Sequence, residues 1–300
     1  MARSSLAACS RCNSLRVGAS GLAYLLLFAA AGVAAADQSE TTLRVCADPD
    51  NLPLSNERGE GYENKIAEAL AGDLGRRVEY TFFPQRMGFV RNTLRRRDEA
   101  TQQFKCDVVI GVPKGYELTA TTRPYMRSTY ALLFADSTNQ GVMRTADDLL
   151  KLPPEKLSAL RIGVFGRSPG ADWLLRHELI DQAVVYAPQS GDVHENPAHI
   201  IERDMKENKI DAAILWGPMA GYLVQRHTAS PQGSSSPWRA VPFLPDPQIR
   251  FDFEIAMGVR FGEKQWQGVL DDWIGAHQAR IDEILSSYRV PLLDASGKVK

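Results

Sequence analysis

Apolar and polar positions change period twice within residues 43–74. Leu43 to Ala47 is a short apolar run and reads as a strand. A polar stretch rich in Asp, Asn, Pro and Gly follows. Then Tyr62, Ile66, Leu70 and Leu74 fall four apart, the spacing of one helix face. The alternation continues along the chain. Residues 77–83 (RVEYTFF) read as a strand. Residues 87–97 (MGFVRNTLRRR) read as a helix with Phe89, Val90, Thr93 and Leu94 on one side, and with Arg91, Arg95, Arg96 and Arg97 on a solvated face. The continuous apolar run 107–112 (DVVIGV) fits a buried parallel strand. Residues 113–125 read as a polar crevice loop and 129–135 (TYALLFA) as a further strand.

A second set of units follows. A helix over 146–160, broken at Pro153-Pro154, leads to a strand at 161–165, a turn at 166–170 and a helix at 171–180. Strands at 184–187 and 212–216 flank a helix at 198–207, and 221–226 continues as a helix. Residues 229–237 (ASPQGSSSP) read as a flexible loop. Residues 251–259 (FDFEIAMGV) alternate as a strand should. The last helix spans 267–288, with Leu270, Trp273, Ile274, His277, Ile281, Ile284 and Tyr288 at helical spacing.

This βαβα order, repeated after a crossing, implies parallel sheets covered by helices. It predicts an α/β protein of two lobes with a cleft between them. Lobe 1 would be residues 37–134 plus 252–300, and lobe 2 residues 135–251. The crossings near 130–136 and 249–254 would form the hinge. Loops leaving the carboxyl ends of strands line the ligand crevice of open α/β sheets. Strand ends and helix starts therefore nominate Asp48, Asn51, Glu63, Arg86, Val112, Pro113, Arg123, Ser168 and Trp216 as cleft residues. Each could instead be purely structural.

The first 36 residues stand outside that pattern. Arg3, Arg11 and Arg16 precede the apolar run 21–35, and Ala34-Ala35-Ala36 makes an A-x-A site before Asp37. This is the layout of a cleavable secretory signal. The run is short of the ~20 residues that a membrane span needs. The chain holds 35 Lys and Arg, three of them in that segment, and 36 Asp and Glu, none of them there. The exported part is thus mildly acidic, which argues against nucleic acid as a partner.

Of the four cysteines, Cys9 and Cys12 leave with the signal, and Cys46 and Cys106 remain. In an oxidising compartment two cysteines usually pair. A Cys46–Cys106 bridge is expected, with two buried thiols as the alternative.

Motifs of catalysis are weak. Residues 166–170 (GRSPG) match G-x-S-x-G between a strand and a helix, where a nucleophile elbow belongs. The residue after Ser168 is Pro169, however, which has no N–H to give to an oxyanion hole. The better reading makes Ser168 a helix cap facing the cleft. His177, His194, His199, His227 and His277 lack metal-ligand spacing, although His194 and His199 flank Glu195. Asp48, Asp50 and Glu63 have no spacing that favours paired acid–base work, and Glu63 at a helix start is explained by the helix dipole. The ring of Trp216 could stack on a ligand or pack between lobes. No P-loop, dinucleotide fingerprint or HExxH is present.

Six phrases are more specific: LRVCADPDNLPLSN, GEGYENKIAEALA, FFPQRMGFVRNTL, CDVVIGVPKGYELTATTRPYMRSTYALL, ILWGPMAGY and FEIAMGVR. Together they resemble the quinoprotein-dehydrogenase-associated binding proteins, the J proteins of methanol dehydrogenase operons (MxaJ and XoxJ). The resemblance runs from Leu43 to Pro291, and the XoxJ branch looks nearer. It implies the type II periplasmic binding-protein fold and a periplasmic location. It also implies a non-enzymatic role in binding or maturing a dehydrogenase that uses pyrroloquinoline quinone (PQQ) with calcium or a lanthanide. Quinone and metal would belong to the partner, and this chain would hold no cofactor or metal. Amino-acid-binding relatives carry an arginine after the third strand to clamp a carboxylate. Here that loop is Val112-Pro113-Lys114-Gly115-Tyr116-Glu117-Leu118, without one. The alternative is a solute-binding subunit of an ABC transporter for a small polar or aromatic molecule.

Overall fold

The computed structural model describes residues 41–135, 143–187, 196–229 and 237–300. The expected signal segment, His194 with Glu195, and most of the 229–237 loop lie outside these residues.

Three parallel strands open the fold. β1 (Thr42–Ala47) pairs in parallel with β4 (Arg77–Phe82) on one side and β5 (Val108–Pro113) on the other. Between β1 and β4 lie the small hairpin β2 (Asp50–Asn51) and β3 (Ser55–Asn56), then helix α1 (Tyr62–Asp73). Helix α2 is only Phe89–Asn92. The expected helix over 87–97 is therefore one turn. Gly88 before it is left-handed (φ 90°), and Thr93 leaves helical geometry with its hydroxyl donating to Phe89 O at 2.7 Å. Arg97 then doubles back to bridge Phe104, its guanidinium 4.0 Å from that ring.

β6 (Ala120–Ala135) is the long strand of the molecule. It starts well inside the segment expected as a loop. Its first half pairs antiparallel with β11 (Asp252–Val259), which in turn pairs with β5. The register slips opposite Pro124, whose missing N–H cannot serve a ladder. Its second half pairs antiparallel with β9 (Ala212–Trp216) and with β10 (Trp238–Pro242), a strand that sequence reading missed. β7 (Ile162–Phe165) joins β9 in parallel, and β8 (Ala183–Tyr186) closes that edge. The order is β4-β1-β5-β11-β6-β9-β7-β8, with β10 beside β6. Helices α3 (Pro154–Ser158), α4 (Pro169–Arg176), α5 (Pro197–Lys206), α6 (Gly217–Ala229) and α7 (Lys264–Ser287), with 3-10 helices at Ala146–Lys151 and Ile180–Gln182, complete the described fold. The helix expected over 146–160 is thus a 3-10 helix and a short α-helix parted at Pro153.

Burial follows the pleat. Along β6, Leu132 and Phe134 enter one apolar cluster while Ala131 and Leu133 enter another. β9 repeats this with Ala212 and Ile214 against Ala213 and Leu215. Both faces are covered, which is why these strands read as continuous apolar runs. A further cluster joins Leu43, Val45, Ile66 and Leu70 to Ile274 and Ile281 of α7. Cys46 and Cys106 form the expected disulfide, with Cα atoms 5.4 Å apart, and tie β1 to the start of β5. Among the described residues no helix is long and apolar enough to cross a membrane.

Candidate functional site

The carboxyl ends of β5 and β9, the start of α1 and the two crossing strands converge on a cavity of about 400 Å³. Its position follows from local chemistry. The first helical N–H groups of α1 are already occupied: Tyr62 N donates to Pro53 O at 2.8 Å, and Glu63 N to Leu54 O at 2.9 Å. Asn64 Oδ1 accepts from Asn56 N at 3.0 Å and from Gly61 N at 3.1 Å, locking loop to helix. Position 61 must be glycine, because a Cβ there would collide with the Leu54 carbonyl.

The helix start carries Tyr62 and Glu63 to the cavity wall. Glu63 is 5% exposed, and its carboxyl rests against the α-carbon side of Gly111 in β5, leaving no room for a Cβ. Its Oε1 is buried without a hydrogen-bond partner. Burial, and after it the nearby Asp48, push this carboxyl up to a pKa of about 8.

Asp48 and Asn51 do not line the cavity; they hold Gln85, which does. Asp48 Oδ2 accepts from Gln85 N, and Oδ1 accepts from Asp50 N at 2.9 Å. Asn51 Nδ2 donates to Gln85 Oε1 at 3.3 Å, and Gln85 Nε2 donates to Gly111 O at 3.3 Å. Val112 and Pro113 line the cavity. They also line an adjoining groove of about 440 Å³, which is where Arg86 lies.

Trp216, at the end of β9, lines the cavity and meets Tyr130 of β6 at 5.7 Å and Phe253 of β11 at 5.9 Å, edge to face in both cases. Tyr130 and Phe253 are 6.5 Å apart. The tryptophan thus packs between the crossing strands and also faces the cavity.

Two nominated residues are not brought to this site. Arg123 lies against α7: its backbone N donates to Asp271 Oδ1, and a Cβ at Gly275 would sit 2.7 Å from its guanidinium. The strand's alternation sends it outward. Ser168 caps α4, its hydroxyl accepting from Ala171 N at 3.4 Å, and it is not among the lining residues. Sequence reasoning missed Gln85, Tyr130 and Phe253. Gln85 adjoins Arg86, but the aromatic pair carried no local signal, because only the β6–β9 and β6–β11 registers bring those rings together.

The loop before α1 also reaches the second half of the sheet. Leu52 is buried in the cluster of Ala131, Ile201 and Leu223, and Asn196 Nδ2 donates to Asp50 O at 3.3 Å. Among the described residues no three His, Cys, Asp or Glu side chains group as metal ligands.

No family model matches the chain. The crystal structure of the periplasmic binding protein XoxJ from Methylobacterium extorquens AM1 is 34% identical, with a TM-score of 0.65, over 84% of this chain and 99% of that one. Two curated relatives are each called Protein MoxJ. That of Methylorubrum extorquens is 28% identical over 88% of this chain and 85% of its own, and that of Paracoccus denitrificans 26% over 85% and 91%. With the six sequence phrases, the two-faced sheet and the crossing strands, these likenesses place the chain in the XoxJ/MoxJ family of periplasmic binding proteins.

Proposed function

We propose that this protein is a non-enzymatic periplasmic accessory protein that binds a PQQ-dependent alcohol dehydrogenase of the methanol type and helps activate or mature it. The observation that carries this reading is the 34% identity to XoxJ, maintained over 99% of that chain. Quinone and metal stay with the dehydrogenase, and the two halves of the sheet act as lobes, 37–134 with 252–300 and 135–251, closing on what they bind. The test is deletion of the gene in its own organism. The reading requires a fall in dehydrogenase activity together with a change in the metal content of the purified enzyme. Unchanged activity and metal content would refute it.

A second reading, the solute-binding subunit of a transporter, is favoured by one feature: the cavity is walled by four aromatic rings and one buried carboxyl. It requires a permease partner and a small ligand that raises the melting temperature.

A further inference from the structure

The cavity has an unusual charge inventory. Among the described residues Glu63 is the one acidic side chain that lines it, and no Lys, Arg or His does. The side chain of Glu63 is nine-tenths buried, and its Oε1 is left without a partner. A buried polar atom in that state costs free energy until something donates to it. The groups that face it offer no cation. Asp48 lies at the end of β1, Tyr62 on the same helix, Tyr125 on β6 and Tyr80 on β4. Tyr125 Oη is likewise buried without a partner. Across the same cavity stand the rings of Tyr130, Trp216 and Phe253, and aromatic faces attract cations by their quadrupoles.

A ligand carboxylate would find no cationic side chain among the described residues of the lining. Arg123 is turned onto α7, and the N–H groups opening α1 are taken by Pro53 and Leu54. The complement of this wall is a donor-bearing cation with an apolar body and no acid group.

We propose that the cavity binds a small organic ammonium ion lacking a carboxylate, its N–H groups on Glu63 and its body over Tyr130, Trp216 and Phe253. This rests on the cavity being a ligand site of the binding-protein fold. It does not depend on the dehydrogenase. The ligand enters already as its ammonium ion and pairs with the ionised carboxylate, so the proton that Glu63 holds before binding passes to solvent.

The test is calorimetric titration of the purified protein with benzylammonium, benzyl alcohol and phenylalanine at pH 7, in two buffers of different ionisation enthalpy. Saturable binding of benzylammonium with net proton release is expected, with the alcohol and the amino acid at least tenfold weaker. Glu63→Gln should lose at least tenfold in affinity and abolish the proton release. Trp216→Ala should weaken binding severalfold while the release persists. Equal binding of benzyl alcohol, undiminished binding by a folded Glu63→Gln protein, or no saturable binding of benzylammonium would each overturn the proposal. The titration uses this protein alone, so its failure leaves the dehydrogenase role standing, and failure of that role leaves the ammonium site standing.

Discussion

Glu63 concentrates the chemistry of the site in one residue, and the sequence marked it for a weaker reason than the structure supplies. At the start of a helix an acid is explained by the dipole. What sets Glu63 apart is the α-carbon of Gly111 lying against its carboxyl and the burial that follows, and neither is visible in one dimension. Between its ordinary value of 4.5 and about 8, the folded protein holds this proton and the unfolded chain releases it. Stability therefore falls as pH rises through that window. Glu63→Gln should remove this slope, leaving the variant more stable than the parent at pH 8 by on the order of a few kcal/mol and little changed near pH 4.5. Chemical denaturation at several pH values checks it, and parallel stability curves for the two proteins would contradict it. Gly111→Ala should cost roughly 1–3 kcal/mol, because its Cβ meets the Glu63 carboxyl and one of them must move. The melting temperature reads this directly.

At the scale of elements, the strands that sequence reading found are those with two buried faces, such as β5 and β9, because burial on both sides leaves an unbroken apolar run. The elements misjudged are those decided by partners. β10 (Trp238–Pro242) is short and became a strand because β6 offers it an edge. The first residues of β6 look like a polar loop and are drawn into the sheet by β11. The 87–97 helix stops after a turn because Thr93 leaves helical geometry and Arg97 is engaged with Phe104. Of the cleft candidates, those on the ends of β5 and β9 and the start of α1 reach the cavity. Asp48 and Asn51 support it through Gln85, and Arg123 and Ser168 serve α7 and α4. Two predictions belong here. Reducing the Cys46–Cys106 bridge, which spans 60 residues, should destabilise the protein by roughly 4 kcal/mol, measured as a shift of the denaturation midpoint. Leu52→Ala should cost about 2–4 kcal/mol, since that side chain fills the cluster around Ile201. It should also loosen the tie between the β2–β3 loop and the second half of the sheet, raising the radius of gyration in solution scattering. An unchanged melting temperature and radius would show that the loop holds nothing closed.

Over the whole molecule, one sheet runs from β4 to β8 through the long strand β6, and the site lies where that strand changes neighbours from β11 to β9. The α/β class was legible because strand and helix periods alternate along nearly the whole described chain. The antiparallel pairings that join β5, β11, β6 and β9 into one sheet, in place of the parallel sheets expected, were not. The occupant of the site was not legible, because charge and shape at a cavity depend on residues from seven separate segments. The central claim is that this member of the XoxJ/MoxJ family works on a quinoprotein dehydrogenase. It is tested most directly by calorimetric titration of the purified protein with its own organism's PQQ-dependent dehydrogenase, in metal-free and metal-loaded forms. The account predicts saturable heat that is stronger with the metal-free form. No heat with either form would contradict it.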